Sequence, residues 1–409
     1  MVVAAFVAPF LLEATSRFVL SAARLPDVSL AVITTSSRDD LSAELREALA
    51  GHWQVGDALD PQQIVDAVRG LSGQLGRIER LIGALEQLQV PLALARGALG
   101  IEGMSPEVAL NVRDKSQMKS VLHAAGVPCA RHQLVQRTEE AVTFRDLVGY
   151  PMVAKPPDGA GAKATFRLDA DSDFESWLRA AQHDPGEVWL LEEFLTGREH
   201  TYDSVTLGGE TIWASIADYR PPPLEVLRTP WVQWTVLLPR DVSGTEYAGI
   251  AQAGPAALRA LGVTDAFSHM EWFERPDGSV AISEVGARPP GAQLASMIGF
   301  SHDIDFYATW AELVIKGTFV PRERVYASGT AYLRGMGRGQ VRTVHGIDRL
   351  QAEIGHLVVD SRLPRPGQPA NTSYEGEGFI TVRHPETAVV EDALARIVST
   401  ARVELVEGQ

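Results

Sequence analysis

The sequence predicts a mixed fold, α/β at its start and α+β beyond, from two changes of pattern and one bulk property. "VVAAFVAP", "FLLEATSRFVLSAARL" and "VSLAVITT" alternate strand, helix and strand, as a parallel sheet with crossover helices requires. Over 150–208 the order becomes strand, loop, strand, helix and two strands, so hairpins alternate with helices. With 409 residues, 45% hydrophobic and 22% charged, the chain can bury a substantial core spread over two or three units.

The opening run "MVVAAFVAPFLL" reads as a first core strand and not a secretory leader, because no basic stretch precedes it and Glu13 follows in a helical pattern. Residues 1–112 are therefore expected to be Rossmann-like. No glycine fingerprint follows the first strand, so this unit is read as a scaffold or part of a substrate wall. "SPEVALNVRDKSQMKSVLHAAGVPCARHQLV" gives a capped helix start, an amphipathic helix, a stop at Gly126 and a strand, leading into a second unit over 113–318. The stretch 220–241, with three consecutive prolines, Trp231 and Trp234, breaks the pattern. It reads as a long functional loop whose aromatic rings either pack against the unit or shape an apolar site. A helix over 247–261, a hairpin turning at Pro276-Asp277-Gly278 and helices to about 317 follow. Over 319–409, short strands and the helix "TAVVEDALARIVSTA" predict a small C-terminal α/β unit.

Composition narrows the partners. The net charge of -15, from 52 acidic and 37 basic residues, opposes loose binding to nucleic acid or anionic lipid, so neither is expected. No run approaches the roughly 18 uninterrupted apolar residues of a membrane span. The single cysteine, Cys129, excludes an intramolecular disulfide and a cysteine metal cluster, and suits a reducing cytoplasm. In "AAGVPCARHQL" it reads as a small buried side chain rather than a nucleophile.

The chemistry centres first on "YPMVAKPPDGAGAKATFRL". Gly159, Gly161 and Ala164 have the spacing of a dinucleotide fingerprint, but the alternating "ATFRL" follows where a helix is needed, and no Gly-Lys-Ser/Thr completes a P-loop. What remains is a glycine loop between antiparallel strands, whose amides can fold over a polyphosphate with Lys155 at the strand end neutralising charge. Taken alone it reads sooner as an ordinary hairpin, since many hairpins carry glycines and many lysines end strands. Glu271 and Glu284 lie 13 residues apart on strands paired across the Pro276-Asp277-Gly278 turn, which lets both carboxylates reach one end and face of the sheet. Two such carboxylates suit Mg²⁺, a hard ion that takes oxygen ligands and substrate phosphates. Arg288, four residues on in "EVGARPPG", can fork onto a carboxylate, phosphate or oxyanion, with Gly291 in the turn beyond.

In this order and over nearly the whole chain, these pieces resemble the ATP-grasp superfamily, specifically its carboxylate-amine ligases and most nearly the L-amino acid ligase branch. The resemblance implies a preATP-grasp domain over 1–112, an ATP-grasp domain over 113–318 (phosphate lid about 125–190, catalytic part about 191–318) and a C-terminal domain over 319–409. It implies ATP and Mg²⁺ as cofactors, with Glu271 and Glu284 as metal ligands. Lys115, with Lys119 as its rival, would approach the nucleotide, and Lys155 would contact phosphate under a lid containing Gly159, Gly161 and Lys163. From "LLEEFLTGREHTYDSV", Glu192 would meet the adenine amino group, backbone groups of Glu193 and Leu195 the ring, and Glu199 the ribose hydroxyls. Arg288 would act at the reacting centre. His269, in an H-x-E pattern, is either a substrate contact or a packed side chain, and Trp231, Trp234 and Gly291 complete the candidate substrate positions. Where family members commonly carry asparagine two residues after the second glutamate, this chain has Gly286, which leaves a second Mg²⁺ position open. The implied reaction joins a small-molecule carboxylate to an amine through an acyl phosphate in a cytoplasmic protein, and the resemblance suggests a homodimer. The alternatives are a carboxylase-type enzyme acting on bicarbonate and a nucleotide-binding protein without ligase activity.

Overall fold

The structure, a computed structural model, describes residues 1–157, 165–181, 188–229, 232–371 and 373–407. Its first sheet is parallel, in the order Gly51–Gln54, Val28–Thr34, Val2–Ala8, Arg80–Ile82. The period-2 alternation of Val2–Ala8 explains its central place. Ala4, Phe6 and Ala8 enter one apolar core, Ala5 and Val7 another, so both faces are covered as a parallel sheet demands.

The expected linker is two helices rather than one. Pro106–Asn111 is capped by Ser105 and Lys115–Ala124 by Asp114, whose side chains accept from the amides of Val108 and Gln117. Gly126 then takes a left-handed conformation (φ 71°), and the chain enters His132–Val135. That strand belongs to an antiparallel sheet ordered His132–Val135, Trp189–Glu193, Met152–Lys155, Phe166–Leu168.

The central sheet is antiparallel and has eight strands among the described residues. Its order is Val280–Gly286, Ala266–Glu274, Arg198–Leu207, Glu210–Arg220, Trp234–Leu238, Ala327–Leu333, Gly378–His384, Val358–Arg362. One expectation changes here. The stretch 220–241 is not one irregular loop, since it holds the helix Pro223–Arg228 and the strand Trp234–Leu238. The C-terminal α/β segment also joins this sheet: Ala327–Leu333 pairs along Trp234–Leu238 and carries it onward. Phe6, Phe18, Trp234, Phe267, Trp310 and Phe379 share one apolar core, which binds the N-terminal sheet to the central one.

Cys129 is buried and burial raises its thiol pKa, in keeping with a small core residue. Among the described residues, no helix is long and apolar enough to cross a membrane.

Candidate functional site

The hairpin Ala266–Glu274/Val280–Gly286 sets the site. Asp277 accepts from the amide and hydroxyl of Ser279 (2.9 and 2.7 Å) at the turn, and a bulge between the Trp272–Ile282 and Glu271–Glu284 pairs places Glu271 directly opposite Glu284 and His269 opposite Gly286. Residues opposed across an antiparallel pair project to the same face, so the two carboxylates share it. Their side chains are 29% and 30% exposed, enough to meet a ligand.

Lysines surround this pair. Lys115 and Lys119 are four apart on one helix and therefore face the same way. The Lys115 Nζ lies 2.9 Å from Glu284 Oε1, whereas Lys119 is fully buried and donates to the Ser283 carbonyl at 2.5 Å. Lys155 ends the Met152–Lys155 strand, with its Nζ 2.9 Å from Glu192 Oε2, while the Lys119 Nζ is 3.2 Å from the other oxygen. Burial would raise the pKa of Glu284, but Lys115 and Lys155 outweigh it and hold the carboxylate at about 2. Glu192 behaves alike: burial opposes its charge, and Lys119 and Lys155 keep it ionised.

Glu199 sits opposite Phe273 and its pKa moves the other way. Burial, then repulsion from Glu271, lifts it well above the ordinary carboxyl range. A crowd of acidic oxygens on a cavity wall is the setting in which a divalent cation is favourable. No group of three or more His, Cys, Asp or Glu side chains that could hold a metal occurs among the described residues. Two carboxylates with the remaining ligands drawn from phosphate and water is how Mg²⁺ is usually held, so Glu271 and Glu284 fit the ion.

His269 is buried, with Nδ1 2.7 Å from Asp203 Oδ1 and Nε2 3.8 Å from Glu271 Oε1. Burial lowers its pKa, yet Asp203 prevails and raises it to about 9, so the ring is an imidazolium at neutral pH. It is packed and also borders the cavity, which joins the two readings of this residue.

Arg288 leaves the second hairpin strand and donates from Nε to Glu86 Oε2 (2.5 Å) and from Nη1 to the Pro289 carbonyl (2.9 Å). Glu86 comes from the N-terminal unit. A Cβ added at Gly286 would lie 3.0 Å from that same Glu86 oxygen, tighter than ordinary packing. Gly286 thus leaves room for the carboxylate that holds Arg288.

Apart from Lys119, Asp203 and the turn residues Asp277 and Ser279, the groups named above border one cavity of about 580 Å³, which also reaches Phe18, Leu85, Tyr219 and Tyr374. The chain-to-structure comparisons agree in kind. No protein-family model matches the chain. It is 23% identical over 286 residues to an L-arginine-specific L-amino acid ligase of Bacillus subtilis, covering 68% of this chain and 67% of that one. The crystal structure of an L-amino acid ligase from Bacillus licheniformis superposes with a TM-score of 0.78 at 17% identity, over 100% of this chain and 99% of that one. The chain has the ATP-grasp fold. N5-carboxyaminoimidazole ribonucleotide synthetase from Thermotoga maritima shares the ATP-grasp architecture, with a TM-score of 0.70 at 16% identity over 99% and 100% of the two chains.

Within this ATP-grasp frame the structure gathers Lys115, Lys155, Glu192, Glu193, Leu195 and Glu199 on the cavity wall. Glu271, Glu284, Arg288, His269, Trp234 and Gly291 join them there. Lys119 lies beneath rather than on the wall, which favours Lys115 of the two. Gly159, Gly161, Lys163 and Trp231 lie outside the described residues. Two expectations need restating. The Glu192 carboxylate does not stand free for an adenine amino group, since both oxygens meet lysines, and the Glu193 amide is already committed to the Arg131 carbonyl (2.9 Å). Trp234 is 1% exposed, stacked on Tyr332 with centroids 4.4 Å apart, so it is core as much as wall. Trp234→Ala is accordingly expected to cost about 3–5 kcal/mol of stability in denaturant unfolding, and a loss below about 1 kcal/mol would contradict that packing role.

Glu86, Tyr219 and Tyr374 were not foreseen. Only their spacing in three dimensions brings them to the site, and no local motif marks them.

Proposed function

We propose that this protein is an ATP-dependent ligase that joins a small-molecule carboxylate to an amine, forming an amide or peptide bond and releasing ADP and phosphate. The observation that supports this best is the direct opposition of Glu271 and Glu284 on the wall that also carries Lys155 and Arg288. Two carboxylates for a cation, a lysine for phosphate and an arginine for a developing oxyanion are what phosphoryl and acyl transfer require without a protein nucleophile.

In this reading Lys155 binds the polyphosphate and Lys115 stands beside it, both oriented by the carboxylates they now touch. Glu271 and Glu284 would hold Mg²⁺, which when bound offsets charge on the phosphates. The substrate carboxylate forms a bond to the γ-phosphorus while the β–γ bridge breaks and ADP leaves. The amine nitrogen then attacks the acyl carbon, loses a proton, and phosphate departs. Arg288 stabilises the oxyanion at that centre, and Glu86 keeps its guanidinium aimed.

A cavity of about 580 Å³ suits small molecules, and the L-amino acid ligases among the relatives point to amino acids as the class to try first. The test is a phosphate-release screen with ATP and Mg²⁺ over amino acids and small carboxylic acids, singly and in pairs, with mass spectrometry of the products. A product lighter by one water than its two parts supports the ligase. A signal dependent on bicarbonate, or ADP without any amide, overturns it.

Lys155→Ala is expected to weaken ATP binding by roughly tenfold or more, the worth of one charge-assisted contact. Unchanged affinity in calorimetry would move the phosphate site elsewhere.

A further inference from the structure

A second cavity of about 390 Å³ lies between the N-terminal sheet and the hairpin side of the central sheet. Its size is within the range of small-molecule sites. The helix Gln89–Leu99 presents Gln89, Leu92 and Arg96 to it, a spacing of three and seven that places all three on one helical face. Phe267 and Trp310, both buried, form the apolar wall opposite.

Two polar groups there lack a counterpart among the described residues. Gln89 Nε2 is buried without a hydrogen-bond partner. Arg96 is largely buried and donates from Nε to the Leu81 carbonyl (2.9 Å), but no carboxylate pairs with it. Burial pulls its pKa to about 10, and it remains charged at neutral pH. Of the nearby carboxylates, Asp265 accepts the Gly208 amide at 3.0 Å, and Glu102 is turned out to solvent at the cavity edge, 3.8 Å from Arg80. A buried amide donor and an unneutralised guanidinium beside aromatic walls match a small carboxylate with an apolar tail.

We propose that this cavity is a second binding site, for a monocarboxylate bearing an apolar side chain, held through Arg96 and Gln89. It goes beyond the ligase reading and does not depend on it. Leu85, Arg288 and Pro289 line both cavities, so an occupant would lie directly behind the arginine assigned to the reacting centre.

The test is calorimetry on the full chain without ATP or Mg²⁺, using L-leucine, L-phenylalanine and 4-methylpentanoate, with leucinamide as the probe lacking a carboxylate. At least one carboxylate should bind saturably and leucinamide should not. Arg96→Met should weaken that binding at least tenfold. Gln89→Leu should weaken it too, and because the Nε2 donor it removes is buried without a partner, this variant guards against a loss caused by misfolding. No saturable binding by any carboxylate, equal binding of leucinamide, or wild-type affinity in Gln89→Leu and Arg96→Met would each overturn the site. Because neither nucleotide nor turnover enters the measurement, its failure leaves the ligase reading untouched.

Discussion

Glu284→Gln and Glu271→Gln are each expected to lower Mg²⁺-dependent turnover on the order of 10³-fold, about 4 kcal/mol of barrier. The amide keeps the shape of the carboxylate but gives up the charge that holds a hard cation. The fold should survive, because both side chains are partly exposed at a cavity rather than packed in a core. Glu284→Gln has a second effect that Glu271→Gln lacks, in that it removes the negative charge 2.9 Å from the Lys115 ammonium. Nucleotide affinity measured without Mg²⁺ should therefore hold or rise in Glu284→Gln while turnover collapses. Near-normal ADP formation in either variant, with circular dichroism unchanged, would remove the metal assignment.

Arg288→Lys is expected to reduce kcat by roughly 10²-fold or more while leaving ATP affinity within a few-fold of wild type, since the arginine serves the reacting centre. An ammonium carries the charge but not the planar fork, so it cannot keep the Glu86 contact through Nε and present donors to an oxyanion at once. Steady-state kinetics alongside calorimetry with ATP separate the two quantities. Parallel loss of kcat and ATP affinity would make Arg288 a structural residue, and Glu86→Gln provides the companion measurement. If Glu86 only positions the arginine, its variant should lower kcat by less than Arg288→Lys does and leave KM for ATP in place.

What could be read from the sequence was what local patterns decide. A β-hairpin's turn sets the register of the pairs beside it, so the pairing of the two strands was legible, but the direct facing of Glu271 and Glu284 depends on a bulge between the Trp272–Ile282 and Glu271–Glu284 pairs that no local pattern marks. The strand ending at Lys155 was legible from its own short apolar run. Glu86 was not, since 202 positions separate it from Arg288 and an acidic residue after a short strand carries no pattern of its own. Trp234 looked like part of a proline-rich loop because its strand is defined by partners, Glu210–Arg220 on one side and Ala327–Leu333 on the other. The membership of the C-terminal strands in the central sheet is likewise a matter of pairing across about a hundred residues. The occupied carboxylate of Glu192 depends on two lysines from separate elements, 73 and 37 positions away, and propensity has nothing to say about either.

The unbroken run of the central sheet from Trp234–Leu238 into Ala327–Leu333 means that the last ninety residues are no detachable appendage. A truncation ending near residue 318 would strip the outer ladder from Trp234–Leu238 and unstack the Trp234 ring from Tyr332, leaving a bare apolar edge in water. Such an edge recruits the same strand of another molecule, so the shortened chain would be expected to precipitate or pair through that edge rather than persist as a smaller working enzyme.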